Sequence, residues 1–215
     1  MQKNKIGPKN RSVNLVHPKC EPLSRVWFLA RGYKQADTRY TAGQIVWLHP
    51  RTNDVLSEYG TKLALQVKPK EKHRKNTTRY LRLTCQYGSM FLARLKYLTF
   101  TGDIPEGFVI DHIDGDTFNN NIDNLRAVQD AINRRDGGFL RKLRNHRIDV
   151  RMYPGIILEG YERMAKFKAT HKKWQYDKLT RKDLLLLFIG DGFRIAEPSE
   201  IEFDEPFKYA DMYER

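Results

Sequence analysis

The sequence predicts an α+β fold assembled from small modules. Three observations carry this expectation. The chain has 215 residues, 40% hydrophobic and 30% charged, which suits several small cores better than one thick one. Short β-prone apolar runs, such as Ile45-Val46-Trp47-Leu48, occur beside stretches with helical spacing. In the middle of the chain, two short apolar runs flank a Gly- and Asn-rich turn and lead into an amphipathic segment, the order strand, loop, strand, helix.

The elements follow in order. Residues 1–22 are basic, contain Pro and Asn, and have little periodicity, so they read as an arm. Residues 23–79 read as a β-rich amino-terminal module. Its strands are expected at Val26-Trp27-Phe28-Leu29 and Ile45-Val46-Trp47-Leu48, and a turn at Pro50-Arg51-Thr52-Asn53-Asp54. Trp27 and Trp47 read as core residues ahead of base-stacking platforms. The stretch Lys68 to Arg79, KPKEKHRKNTTR, reads as an exposed basic loop that suits phosphate contact. A strand is expected over Tyr80 to Gln86. Ser89 to Phe100 is expected to be a helix, because Phe91, Leu95 and Leu98 recur at helical spacing. Arg94 on that helix is a candidate for DNA contact, weighed equally against an ordinary surface arginine.

The most informative stretch is Phe108 to Arg135, FVIDHIDGDTFNNNIDNLRAVQDAINRR. Asp111 and His112 close the first apolar run, Leu125 to Val128 forms the second, and Asn133 falls at the start of the helix. One imidazole, one carboxylate and two amides (Asn124 and Asn133) are thus collected. Carboxylate and amide oxygens suit Mg²⁺ or Mn²⁺, which prefer hard ligands and keep several waters. A neutral imidazole accepts a proton from water near pH 7. Adjacent strand residues point to opposite faces, so Asp111 and His112 serve one site only where the strand ends or twists; Gly115 and the Asn run favour that. A calcium loop is the bland alternative. It requires Gly at its sixth position and Glu at its twelfth, and neither Asp111 nor Asp114 starts a register that supplies them. Asp114, Asp116 and the Asn run are expected to serve the turn itself.

These residues resemble the HNH nuclease family, in its phage homing-endonuclease branch. The resemblance rests on Asp111-His112, Ile113-Asp114-Gly115-Asp116, Asn119-Asn120, Asn124-Leu125-Arg126 and Asn133. Ala93-Arg94-Leu95 and Gly102-Asp103-Ile104-Pro105-Glu106-Gly107 upstream also match. It spans roughly Tyr80 to Arg135, with Asn133 where the family more often has histidine. The resemblance implies a ββα-metal nuclease core over residues 80–136. His112 becomes the general base, Asp111 and Asn133 the ligands of one Mg²⁺ or Mn²⁺, and Asn124 the brace that holds the loop and orients His112. It also implies double-stranded DNA as partner and products with a 5′ phosphate and a 3′ hydroxyl.

Beyond this core the chain is basic again. Gly137-Gly138 is expected to break the helix, and residues 137–152 to form a basic connecting segment. Arg134, Arg135, Arg141, Lys142 and Arg144 are candidate DNA-tracking residues, since Arg pairs with phosphate bidentately. Residues 153–196 are expected to form a small three-stranded sheet on one helix. Ala165 to Thr170 alternates, Lys172 and Lys173 lie in the following turn, and Thr180 caps a helix with Asp183 three residues on. That pattern resembles the integrase-like DNA-binding domains fused to phage HNH enzymes. Residues 197–215 form an acidic tail.

Charge distribution agrees with a nucleic-acid partner. The formal net charge is +13. Residues 1–100 hold 20 Lys and Arg against 5 Asp and Glu, residues 101–150 hold 7 against 9, and residues 151–215 hold 12 against 12. The expected cation site is therefore locally acidic and flanked by positive charge, although any single lysine is more simply a solvated one. Cys20 and Cys85 form no Cys-x-x-Cys pair, so a zinc ribbon is unsupported. Both read as reduced thiols in a cytoplasmic setting. No apolar run is long enough to span a bilayer, and no small-molecule cofactor is expected. A monomer is favoured. The competing functions are a catalytically degenerate nucleic-acid-binding protein and an HNH-type RNase.

Overall fold

The computed structural model describes residues 21–67, 79–85 and 88–190. The expected basic arm, most of the Lys68 to Arg79 loop and the acidic tail lie outside the described residues. The chain divides into two compact units, residues 1–133 and 134–215.

The first unit opens with a single helical turn, α1 (Arg25–Leu29). Ser24 caps it, its Oγ accepting from Trp27 N at 3.2 Å. A strand was expected here, and the side chains explain the correction. Only Phe28 is fully buried, stacked on Trp47 at 4.2 Å, while Val26 and Leu29 stay 73% and 50% exposed. One anchor and one cap suffice for a turn; a strand would need a paired neighbour. Next come β1 (Lys34–Gln35), β2 (Val46–Leu48) and β3 (Val55–Ser57), an antiparallel sheet in that order. Alternate residues feed two cores. Val46, Leu48 and Val55 join Ala36 on one face, while Trp47 and Leu56 join Phe28 on the other. Both faces are covered, which is why β2 is apolar throughout.

A second antiparallel sheet has the order β4 (Leu65–Val67), β5 (Leu81–Cys85) and β6 (Gly88–Phe91). Helix α2 (Leu92–Phe100) follows directly. It starts three residues later than its spacing suggested, because Ser89, Met90 and Phe91 pair with Thr84, Leu83 and Arg82. Leu92 and Leu95 of α2 share the core with Val46, Leu48, Val55 and Leu83. The same helix also contacts β7 (Phe108–His112) and β8 (Leu125–Gln129), the expected hairpin. The hairpin pairs Phe108 with Gln129, Asp111 with Arg126 and His112 with Leu125. At its loop end Gly115 adopts φ 71° and its N–H reaches His112 O at 2.8 Å, a turn that favours glycine. Helix α3 (Asp130–Asn145) begins at once after β8, completing the expected strand, loop, strand, helix order.

The second unit departs from expectation. Helix α3 runs unbroken through Gly137-Gly138. Two helical glycines cost roughly 1 kcal/mol each relative to alanine. Phe139, Leu140 and Leu143 are buried at helical spacing on the same helix, and that burial outweighs the cost. The three-stranded sheet expected within residues 153–196 is absent among the described residues. They form α4 (Ile157–Thr170), α5 (Lys173–Asp177) and α6 (Arg181–Ile189). The alternation from Ala165 to Thr170 sits in the last turns of α4. The stronger signal lies just upstream, where Ile157, Gly160, Tyr161 and Met164 are buried at helical spacing. Gly160 allows a close approach, since a Cβ there would lie 2.4 Å from the Phe188 ring. The expected start of α6 holds: Thr180 caps it in a capping box with Asp183.

Candidate active site

The hairpin loop organises the site. Asp114 is 5% exposed and is consumed by the loop. Its Oδ1 accepts from Asp116 N at 2.8 Å and from Asn124 Nδ2 at 2.9 Å, and its Oδ2 accepts from Asn119 Nδ2 at 2.8 Å. Asn124 also donates to Asn119 O at 2.8 Å and accepts from Asp114 N at 3.1 Å. Asn124 thus ties both ends of the loop together, and Asp114 serves the turn.

His112 is 5% exposed, at the last position of β7. The residue that meets its ring is Asn120, itself 2% exposed, with Asn120 Oδ1 3.1 Å from His112 Nε2. The Tyr80 ring lies alongside, its centroid 6.2 Å from that of His112. Asn124 bonds the loop around the histidine. Nothing in the sequence marked Asn120 for this contact, since turn chemistry accounts for an asparagine run equally well. Asp111 faces a different neighbour. Its Oδ2 accepts from Arg126 Nε at 3.0 Å and Nη2 at 2.9 Å, a half-buried ion pair between residues directly opposite in the hairpin. Asn133 lies in the first turn of α3, half-buried, and its side chain makes no hydrogen bond among the described residues.

The donor chemistry of Asp111 and Asn133, one carboxylate and one amide oxygen, is of the hard type that suits a divalent cation. Among the described residues, no three His, Cys, Asp or Glu side chains cluster as a metal cage.

A buried cation stands behind the loop. Lys96 of α2 is 1% exposed, and its ammonium donates to Thr52 O at 3.0 Å and to Asn120 O. Burial pushes its pKa down to about 8, while the Asp54 carboxylate pulls it the other way.

Residues 92–135 match the HNH endonuclease family, about a fifth of the chain. This segment is an HNH endonuclease domain. A solved structure described as "DNA binding and cleavage by the HNH homing endonuclease I-HmuI" is 24% identical. It covers 53% of this chain and 68% of that one, at a TM-score of 0.36. No curated protein matches the chain significantly.

The HNH domain holds Arg94 exposed on α2. In the second unit, α3, α4 and α5 enclose an open hollow of about 380 Å³. Of the sequence-predicted DNA contacts, Arg134, Arg135, Arg141 and Lys142 line it together, joined by His146 and Lys168. Arg135 is already committed to Asp136 and Glu162, both at 2.7 Å. Tyr176 lies at its edge under the ammonium groups of Lys142 and Lys168, 4.7 and 5.5 Å from the ring centre, and burial raises its phenol to about 12. Arg144 is exposed and does not line the hollow. Lys172 and Lys173 are exposed at the start of α5, where a turn between strands was expected.

Proposed function

We propose that the chain is a metal-dependent DNA endonuclease of the HNH homing type. The observation that carries this reading is the buried histidine of the HNH domain. His112 closes β7 directly after a carboxylate, its Nε2 is engaged by Asn120, and an amide side chain, Asn133, follows on the next helix.

In this mechanism His112 takes a proton from a water that attacks the phosphorus. The new P–O bond forms as the bond to the 3′ oxygen breaks, and that oxygen takes a proton from solvent water, leaving a 5′ phosphate and a 3′ hydroxyl. Asp111 and Asn133 would hold a Mg²⁺ or Mn²⁺ ion, which would supply charge stabilisation at the phosphate and the leaving oxygen. Arg126 keeps the Asp111 carboxylate aimed, and Asn124 keeps the loop closed around the base. Arg94, the basic hollow lined by Arg134, Arg135, Arg141 and Lys142, and the outlying Arg144 grip the DNA backbone, while Lys172 and Lys173 at the start of α5 contact the DNA separately. The clustering of these four cationic side chains with Lys168 around one hollow supports that assignment.

Incubation of the full chain with supercoiled plasmid tests the proposal. Nicked or linear product should form with Mg²⁺ or Mn²⁺ and not with EDTA. His112→Ala should lower the rate by roughly 10²–10⁴-fold while DNA binding persists. No cleavage under any divalent ion, or wild-type cleavage by the variant, refutes it.

A further inference from the structure

Four contacts join the β2–β3 turn of the amino-terminal sheet to the hairpin loop. Ile122 N donates to Pro50 O at 2.9 Å, and Lys96 ties Thr52 O to Asn120 O. Asn53 Nδ2 donates to Phe118 O at 2.8 Å, and Asn120 Nδ2 donates to Asn53 Oδ1 at 3.1 Å and to Phe118 O at 3.2 Å. The last group ends at His112, because Asn120 Oδ1 lies 3.1 Å from Nε2.

The orientation of both amides follows from one atom that cannot rotate. Phe118 O is a backbone carbonyl and accepts only. Reversing Asn53 would set its Oδ1 2.8 Å from that carbonyl oxygen, lone pair against lone pair. With Asn53 so fixed, reversing Asn120 would place its oxygen against both Phe118 O and Asn53 Oδ1. Both NH₂ groups therefore point at Phe118 O, and Asn120 presents its oxygen to His112. An oxygen acceptor requires a proton on Nε2. The neutral imidazole then has its lone pair on Nδ1. Asn120 and His112 are 2% and 5% exposed, so a broken network would leave polar groups buried without partners.

We propose that Asn53 and Asn120 are positioning residues that hold His112 in the Nε2–H form and reserve Nδ1 as the base nitrogen. The amino-terminal sheet is thereby part of the active site, reaching the base through Asn53. The inference rests on His112 being the base, and its test is independent of cleavage.

The test is long-range ¹H–¹⁵N correlation of the histidine rings in the full chain, at a pH where imidazole is neutral. His112 is assigned by the signals lost in His112→Gln. The wild type should show a protonated Nε2 and a bare Nδ1. Asn53→Leu, and the milder Asn53→Ser should the first not fold, should move His112 toward a mixture of tautomers. On plasmid, the same variant should lower kcat roughly 10- to 100-fold with KM little changed, a part of what a general base contributes. A protonated Nδ1 in the wild type, or an unchanged tautomer in folded Asn53 variants, overturns the inference. Failure of the nuclease reading would show differently, as the expected tautomer in a protein that does not cut.

Discussion

Replacing Lys96 with methionine sets two effects against each other. Lys96 is 1% exposed and donates to Thr52 O and Asn120 O. Each hydrogen bond to a charged group contributes roughly 1.5–3 kcal/mol, and methionine supplies neither. Against this, burial lowers the ammonium pKa from 10.5 to about 8, so folding carries a charge penalty of about 3 kcal/mol that methionine removes. At pH 7 the two largely cancel, and Lys96→Met should cost no more than roughly 3 kcal/mol. Raising the pH separates them. The folded chain releases the Lys96 proton near pH 8 and the unfolded chain near 10.5. Between those values the unfolded state binds more protons, so wild-type stability rises by up to about 1.4 kcal/mol per pH unit, and the variant lacks this contribution. The stability gap between the two proteins should therefore widen by about 3 kcal/mol across that window. Groups common to both proteins cancel in the difference. Urea unfolding followed by tryptophan fluorescence measures it, since Trp47 is 4% exposed in the same unit and reports its loss. A gap that stays constant from pH 7 to pH 10.5 refutes the assignment of a charged, desolvated Lys96.

Two further perturbations probe the site and its grip. Asp111→Ala and Asn133→Ala should each raise the Mg²⁺ or Mn²⁺ concentration needed for half-maximal plasmid cleavage. A titration curve unchanged in both variants would remove them as ligands. Neutralising Arg141, Lys142 and Arg144 should weaken binding to all DNA sequences about equally and flatten the dependence of log K on log salt by roughly one unit per lost phosphate contact. Neutralising Lys172 and Lys173 should instead alter target preference if the second unit reads sequence, and fluorescence anisotropy on paired target and random duplexes separates the outcomes.

Local pattern determined much of this protein. The Asp111-His112 pair, the turn at Gly115 and the short runs on either side specify a hairpin followed by a helix, because strand ends, turns and helix starts depend on near neighbours. The Thr180 cap and the β2 strand were legible for the same reason. Phe91, Leu95 and Leu98 revealed that α2 was helical, yet its start was misplaced, because β6 exists only through pairing with β5. Val26 to Leu29 failed likewise, since Phe28 finds its partner, Trp47, about twenty positions away. In the second unit, the glycine pair and the Ala165 to Thr170 alternation pointed the wrong way. Burial along whole helix faces outweighed both. Tertiary structure alone decided the surroundings of His112. Asn53, Lys96 and Asn120 come from a sheet turn, a helix and a loop, and no spacing rule joins them. A buried imidazole must find an acceptor for its N–H, and which acceptor it finds depends on the packing of the whole first unit.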